Sequence, residues 1–331
     1  LQSPNTHSFI RNLLASLSSI LILSILALPA AALSEGSFQR TLHVAGNVTL
    51  DVSTGSGNIQ VRTGSSDEVQ ITGRIRATEW FGGNAGEKIQ QLEANPPIQQ
   101  TGSNIRIGRM EDSEIGRHLS ISYELVVPPE TELHARTGSG NGNVEGIQGS
   151  LEIESGSGNL DVSSIGNTVR AQTGSGGITI DNVKGNVHAK TGSGTIRATG
   201  VAGGFEGGTG SGSLRLEQTS PGSVRASTGS GSLDLRGVRG SLEASSGSGS
   251  INAEGEPTGA WTLHTGSGSV HLRMPSNAAF DLDAHTSSGS ISVDFPVVTE
   301  TSNGKKDLRG RVRGGGVSVQ ISTGSGDIDI H

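Results

Sequence analysis

A four-residue unit, Thr or Ser followed by Gly-Ser-Gly, recurs ten times along the chain, at Thr54, Thr137, Ser155, Thr173, Thr191, Thr209, Thr228, Ser246, Thr265 and Thr323. A worn copy begins at Thr286. From Thr137 to Thr286 the successive spacings are 18, 18, 18, 18, 19, 18, 19 and 21 residues. A flexible linker depends on composition and not on register, so nothing would hold it to a fixed period. A period of this length marks units that each bury an apolar face on the next. Glycine is abundant, at 52 of 331 residues, but the register excludes both disorder and a collagen helix.

Counting the Thr or Ser as position zero, position −4 reads Leu133, Leu151, Val169, Val187, Phe205, Val224, Leu242, Trp261 and Leu282. Position −2 is mostly alanine, from Ala135 to Ala284. Beyond the glycines, position +5 reads Leu160, Ile178, Ile196, Leu214, Leu233, Ile251, Val270 and Ile291, and position +7 is again aliphatic. Each repeat therefore holds two short strands of alternating pattern, and 18 residues leave no room for a helix beside them. The expected fold is all-β: a parallel β-solenoid, or single-stranded β-helix, with coils of about 18 residues carrying two short strands each. Coils stacked at the spacing of paired strands, roughly 4.8 Å, would put nine of them into a rod about 40 Å long. Alternating large and small columns explain how a chain with 3% aromatic residues still fills a core.

The glycines at +1 and +3, represented by Gly138, Gly140, Gly156, Gly158, Gly174, Gly176, Gly192 and Gly194, are read as structural turn residues needed for positive φ at a tight corner. The Thr or Ser at zero faces inward and can bond the N–H groups of its own corner. The Ser at +2 faces solvent. Outward position −3 places opposite charges on neighbouring coils at Glu152/Arg170 and at Glu206/Arg225/Glu243. Such pairs are worth about 0.2–1 kcal/mol each and keep the outer face soluble.

Five segments follow: 1–32 as a signal peptide, 33–136 as an irregular N-terminal cap with the first coils, 137–295 as regular repeats, 296–316 as an insertion loop and 317–331 as the final coil. The first has Arg11, an apolar run from Leu13 to Leu28 and small residues at Ala30 and Ala32, which predicts cleavage after Ala32. That run is shorter than the roughly 20 residues a spanning helix needs. Export to the periplasm or cell surface of a bacterium follows, and with no cysteine the exported chain has no disulfides. In the cap, a short helix is expected around Glu87 to Ala94, ended by Asn95-Pro96-Pro97, and a strand from Leu119 to Val127.

Chemistry is sparse. A nucleophile elbow needs G-x-S-x-G, and every Ser within Gly-Ser-Gly has Thr or Ser two places before it. Dinucleotide fingerprints need a helix after the glycines, where strands follow here. His134 and His188 share a column three coils apart, and His264 and His285 are the one pair on neighbouring coils; zinc wants three or four ligands in place. Calcium-binding nonapeptides carry a regular Asp, whereas position +4 runs Asn141, Asn159, Gly177, Thr195 and then serines. Outward position +6 (Asp161, Thr179, Arg197, Arg215, Asp234, Asn252) has no acids on adjacent coils, as a polysaccharide-cleaving β-helix would require. No enzyme and no cofactor is expected. The net charge of −7 without basic blocks excludes nucleic acid. Lys305, Lys306, Arg309, Arg311 and Arg313 form the one basic cluster, a candidate anion contact.

The signal peptide, the strand ending in Val126-Val127-Pro128, the Thr-Gly-Ser-Gly-x-apolar-x-apolar coils and the closing Thr323-Gly-Ser-Gly-Asp-Ile-Asp-Ile330 resemble a bacterial family of candidate adhesins built from β-strand repeats. It is a domain of unknown function, akin to the head domain of candidate autotransporter adhesins. The resemblance implies a right-handed single-stranded β-helix and carries over no catalytic residue. A translocator barrel and a cell-wall sorting motif are not seen. Two functions stay open: an exported, non-catalytic binding or adhesion module for a glycan or protein, and a structural or stress-associated envelope scaffold that self-associates through its solenoid ends.

Overall fold

Identical positions of successive repeats lie side by side. In a computed structural model, which describes residues 35–77, 85–108 and 119–331, Leu151 is paired in parallel with Leu133 on one side and Val169 on the other. Beyond the corner, Leu160 is paired in the same way with Gly142 and Ile178. The described residues form 27 strands and one helix, Ala85–Ala94. The product is a mostly β-stranded, repeat-like domain of solenoid-like topology. The expected signal peptide, residues 1–32, lies outside the described residues.

The four expected apolar columns are buried except at Ile291 and Val293, which are half-buried, and a fifth lies beside them. Ile147, Ile165, Val183, Val201 and Val238 occupy position +10 and are buried, joined by Gln218 at 3% exposure. The chain reaches this column through a left-handed residue at +9: Gly146 (φ 86°), Ser164 (58°), Asn182 (55°), Gly200 (68°) and Gly237 (69°). Gly and Asn tolerate that conformation, and it ends the alternation that made the other columns readable.

The Gly-Ser-Gly corners are built for a different reason from the one the sequence suggests. None of Gly138, Gly140, Gly156, Gly158, Gly174, Gly176, Gly192 or Gly194 has positive φ. A Cβ on Gly140 would instead overlap the carbonyl oxygen of Gly57, and one on Gly158 that of Gly140. Gly156 stands in the same relation to Gly138, and Gly174 to Gly156. Glycine is required because one corner rests directly on the corner beneath. The hydroxyl at position zero joins the two: Thr173 Oγ1 donates to the carbonyl of Gly158 in the next rung at 2.8 Å and accepts the N–H of its own Gly176 at 3.3 Å. Ser155, Thr191, Thr209, Thr228, Ser246 and Thr265 repeat the donation at 2.8–3.0 Å.

Spatial order departs from chain order at both ends. The first coil, Val48–Thr54 with Ile59–Thr63, is flanked by Thr131–Thr137 and Gly142–Glu145 on one side. On its other side lie Asn104–Ile107 and Leu119–Val127. Strands that follow the first coil in the chain thus extend the stack on the side away from Thr131–Thr137, with Glu68–Ala77 pairing Leu119–Val127 to Glu35–His43. The helix Ala85–Ala94 covers the edge strand Glu35–His43: Glu93 Oε1 accepts the Ser37 N–H at 2.8 Å, and Arg40 reaches the carbonyls of Glu93 and Ala94 at 3.1 Å. Covering an edge in this way prevents it from pairing with another chain.

At the other end, Val317–Ser325 lies between Ile251–Ser267 and Phe280–Ser288. Ile328–Ile330 lies between Val270–Arg273 and Ile291–Val293. The last coil is therefore intercalated, and the coil of Thr286 does not rest on that of Thr265 as its spacing suggests. Residues 296–316, expected as a loop, hold an antiparallel hairpin, Val297–Asn303 with Asp307–Val312, whose second strand pairs with Phe280–Ser288. Coils with the same columns are interchangeable, so the pattern alone cannot order them.

Candidate binding surface

Column −3 carries the densest row of charge. Arg170, His188, Glu206, Arg225, Glu243 and Thr262 are paired rung to rung. Arg225 contacts Glu243 at 2.6 Å, as their opposite charges suggest. Glu206 instead takes Lys190 and His188, each at 3.2 Å. The Lys190 hydrogen bond, with the charges of Lys190 and His188, holds the Glu206 carboxyl below its usual range. Glu152 pairs with His134 at 3.1 Å.

In the middle of the stack this row stands alone. The neighbours at −5 are Gly204, Ser223, Ser241 and Ala260, and those at −1 are Gly208, Ser227 and Ser245. Small residues on one flank leave a groove of about 490 Å3 across five rungs, walled by His188, Glu206, Arg225, Glu243 and Thr262. That volume is within the usual range of ligand clefts. Its polar groups are carboxylates, a guanidinium, an imidazole and hydroxyls, all suited to hydroxyl- or amide-rich ligands.

The basic cluster is less available than its sequence suggests. Arg309, Arg311 and Arg313 all point outward, but Arg309 is bonded to Asp283 and Arg311 to Glu300 at 2.7 Å. The Glu300 hydrogen bond raises the Arg311 pKa further. Lys306 Nζ donates to the Ser287 carbonyl at 3.0 Å, and Lys305 is exposed beside it. His264 and His285 do not meet: Ser322 lies between them, taking His264 Nδ1 at 2.8 Å, while His285 turns to Asp307. Among the described residues no group of three or more His, Asp or Glu is placed to hold a metal ion. At +4 the amides form a ladder, Asn58 Oδ1 accepting the Asn141 N–H at 2.9 Å and Asn141 Oδ1 that of Asn159 at 2.8 Å. No helix among the described residues is long and apolar enough to cross a membrane.

The apolar columns do not reveal the groove, because it depends on what is absent at −5. The run of Gly204, Ser223, Ser241 and Ala260 at that position was the signal available. Residues 48–331 match the family model described as Toastrack DUF4097. The chain belongs to this family. No match is found among curated proteins. Among solved structures, the Toastrack chain is similar to a candidate cell adhesion protein from Clostridium sporogenes at 9% identity and a TM-score of 0.22, covering 90% of this chain and 99% of that one. A candidate adhesin from Bacteroides fragilis is similar at 12% identity and a TM-score of 0.31, covering 90% and 98%. Neither superposition is close enough to transfer a ligand or a site.

Proposed function

We propose that this Toastrack chain is an exported, non-catalytic binding or adhesion module that displays a rigid β-solenoid surface, closed as a right-handed β-helix, to a glycan or protein. One observation carries the reading: the groove beside Glu206, Arg225 and Glu243, where paired charges flank a polar cleft of about 490 Å3. Its carboxylates and guanidinium are offered to solvent on a backbone whose corners are satisfied rung by rung, so a ligand would meet fixed groups and lose little by ordering them. The same reading takes residues 1–32 as the export signal and gives the groove no cofactor.

Binding of the purified chain to a panel of cell-surface glycans and extracellular matrix proteins tests it, with Arg225→Ala/Glu243→Ala as the paired variant. A ligand held by the chain and lost by the variant is the expected result. Protease added to intact producer cells, with lysed cells as control, tests display. Degradation in intact cells fits a surface module. Survival until lysis, with no ligand found, would favour a periplasmic envelope scaffold.

A further inference from the structure

The last coil sits in a slot whose two walls match each other. On one wall are Trp261, Leu263, Thr265, Val270 and Leu272. On the other are Leu282, Ala284, Thr286, Ile291 and Val293. Val319, Ile321, Thr323, Ile328 and Ile330 lie between them, position for position. The hydroxyl spine passes through unbroken: Thr323 Oγ1 donates to the Gly268 carbonyl at 2.8 Å, and Thr286 Oγ1 to that of Gly326 at 2.9 Å.

Were the coil to leave, the walls present the same columns to each other, Leu282 over Trp261, Thr286 over Thr265 and Ile291 over Val270. Two inter-rung interfaces are lost and one is regained. A rung in the sequential part of the stack has no such option, because its neighbours are its own chain connections on both sides. The link into the coil is also suited to rearrangement. Arg313 (φ 49°), Gly314 (φ 92°) and Gly315 (φ 86°) are consecutive left-handed residues, and nothing lies within 4 Å of where a Gly314 Cβ would be. Besides the buried hydroxyl spine, ionisable side chains tie the coil to its walls at the surface: His271 with Asp329 at 3.1 Å, and Asp327 with Ser290 at 2.8 Å.

We propose that coil 317–330 is an exchangeable rung whose alternative seat is the same slot in a second copy of this chain. The slot selects its occupant. A Cβ on Gly324 would overlap the Gly266 backbone, one on Gly326 that of Gly268, and one on Gly289 that of Gly326. An occupant must therefore carry glycine at both corner positions, a hydroxyl before them and apolar residues in phase on either side. The 317–330 segment of another copy meets all of these requirements, and a generic edge strand meets none of the corner ones.

The chain has no cysteine, so introduced thiols report on exchange directly. Thr262 and Gln320 are paired across the slot boundary and both point outward, one strand spacing apart and within disulfide reach. Thr262→Cys and Gln320→Cys chains are purified separately, mixed at high concentration, warmed, cooled and oxidised, and the linked peptides are mapped. Exchange predicts a 262–320 intermolecular link several-fold above that of Arg225→Cys mixed with Glu243→Cys, which face each other on sequential rungs. A yield no greater than this control, while the double variant Thr262→Cys/Gln320→Cys closes within one chain, overturns the proposal. His271→Cys with Asp329→Cys, on the second strand of the same coil, repeats the test should the first pair disturb folding.

Discussion

Thr137 Oγ1 donates a 2.8 Å hydrogen bond to the carbonyl of Gly57, 80 residues earlier in the chain and one rung away. The same oxygen accepts the N–H of Gly140 at 3.0 Å. The hydroxyl thus satisfies two buried backbone groups, one of its own corner and one of the next. Replacing such a residue with the isosteric valine keeps the volume and strands both partners. Thr173→Val is expected to cost about 1–3 kcal/mol, and Thr173→Ser, which keeps the oxygen as Ser155 does, well under half of that. Denaturant unfolding of the two variants checks it, and a Thr173→Val loss no larger than that of Thr173→Ser would contradict the dominant role given to the hydroxyl.

Gly176 and Ser175 are neighbours with opposite tolerance. Gly176 is a buried corner residue whose added Cβ would overlap the Gly158 carbonyl, while Ser175 is exposed. Gly→Ala where the backbone accepts a side chain usually stabilises by about 0.4–1 kcal/mol. Here the backbone conformation accepts it and the neighbouring rung does not, so Gly176→Ala should destabilise by about 1–3 kcal/mol, the range of overpacking. Ser175→Ala should stay within about 0.5 kcal/mol of wild type. A midpoint shift for Ser175→Ala as large as that for Gly176→Ala would contradict the stacking account.

The strands and four of the five columns were legible because side-chain alternation in a strand is a property of the sequence itself. Leu151, Ile153, Leu160 and Val162 could be read as core from their spacing alone. Ile165 could not, since the left-handed Ser164 breaks the alternation one residue before it. The helix near Glu87 to Ala94 and the strand from Leu119 were visible for the same local reasons. The order of the rungs was not. Thr286 and Thr323 carry the same columns, and only the three-dimensional stack decides which of them rests on Thr265. The groove was hidden because Gly204, Ser223 and Ser241 lie outside the apolar columns, and a missing wall adds nothing to their alternation.

Tyr123 buries a hydroxyl in the core. At 1% exposure, packed edge-on against Phe38 with ring centres 6.4 Å apart, its hydroxyl has no hydrogen-bond partner among the described residues, and burial raises its pKa. A buried unpaired hydroxyl costs roughly 1–3 kcal/mol. Tyr123→Phe should therefore be neutral or stabilising in thermal unfolding, by up to about 2 kcal/mol on that scale. A clear loss of stability would reveal a partner for the hydroxyl.

Asp327 ties the last coil to the coil of Ser290, accepting the Ser290 hydroxyl at 2.8 Å and its N–H at 2.9 Å. These two bonds, hydroxyl first, hold its pKa below the usual value of 3.8, with His271 adding a smaller charge effect. A carboxyl whose folded pKa is depressed stabilises the fold above its unfolded pKa, and that contribution is lost as pH falls through the folded one. Acidification below pH 3.8 should thus weaken this contact. Amide hydrogen exchange, corrected for its intrinsic pH dependence, reads it: protection at 290–293 and 326–330 should fall on acidification relative to 160–165. In Asp327→Asn the ionisable group is gone, and the local difference between neutral and acid pH should shrink. An unchanged pH dependence in that variant would assign the effect to another group and leave Asp327 without a role in holding the last coil.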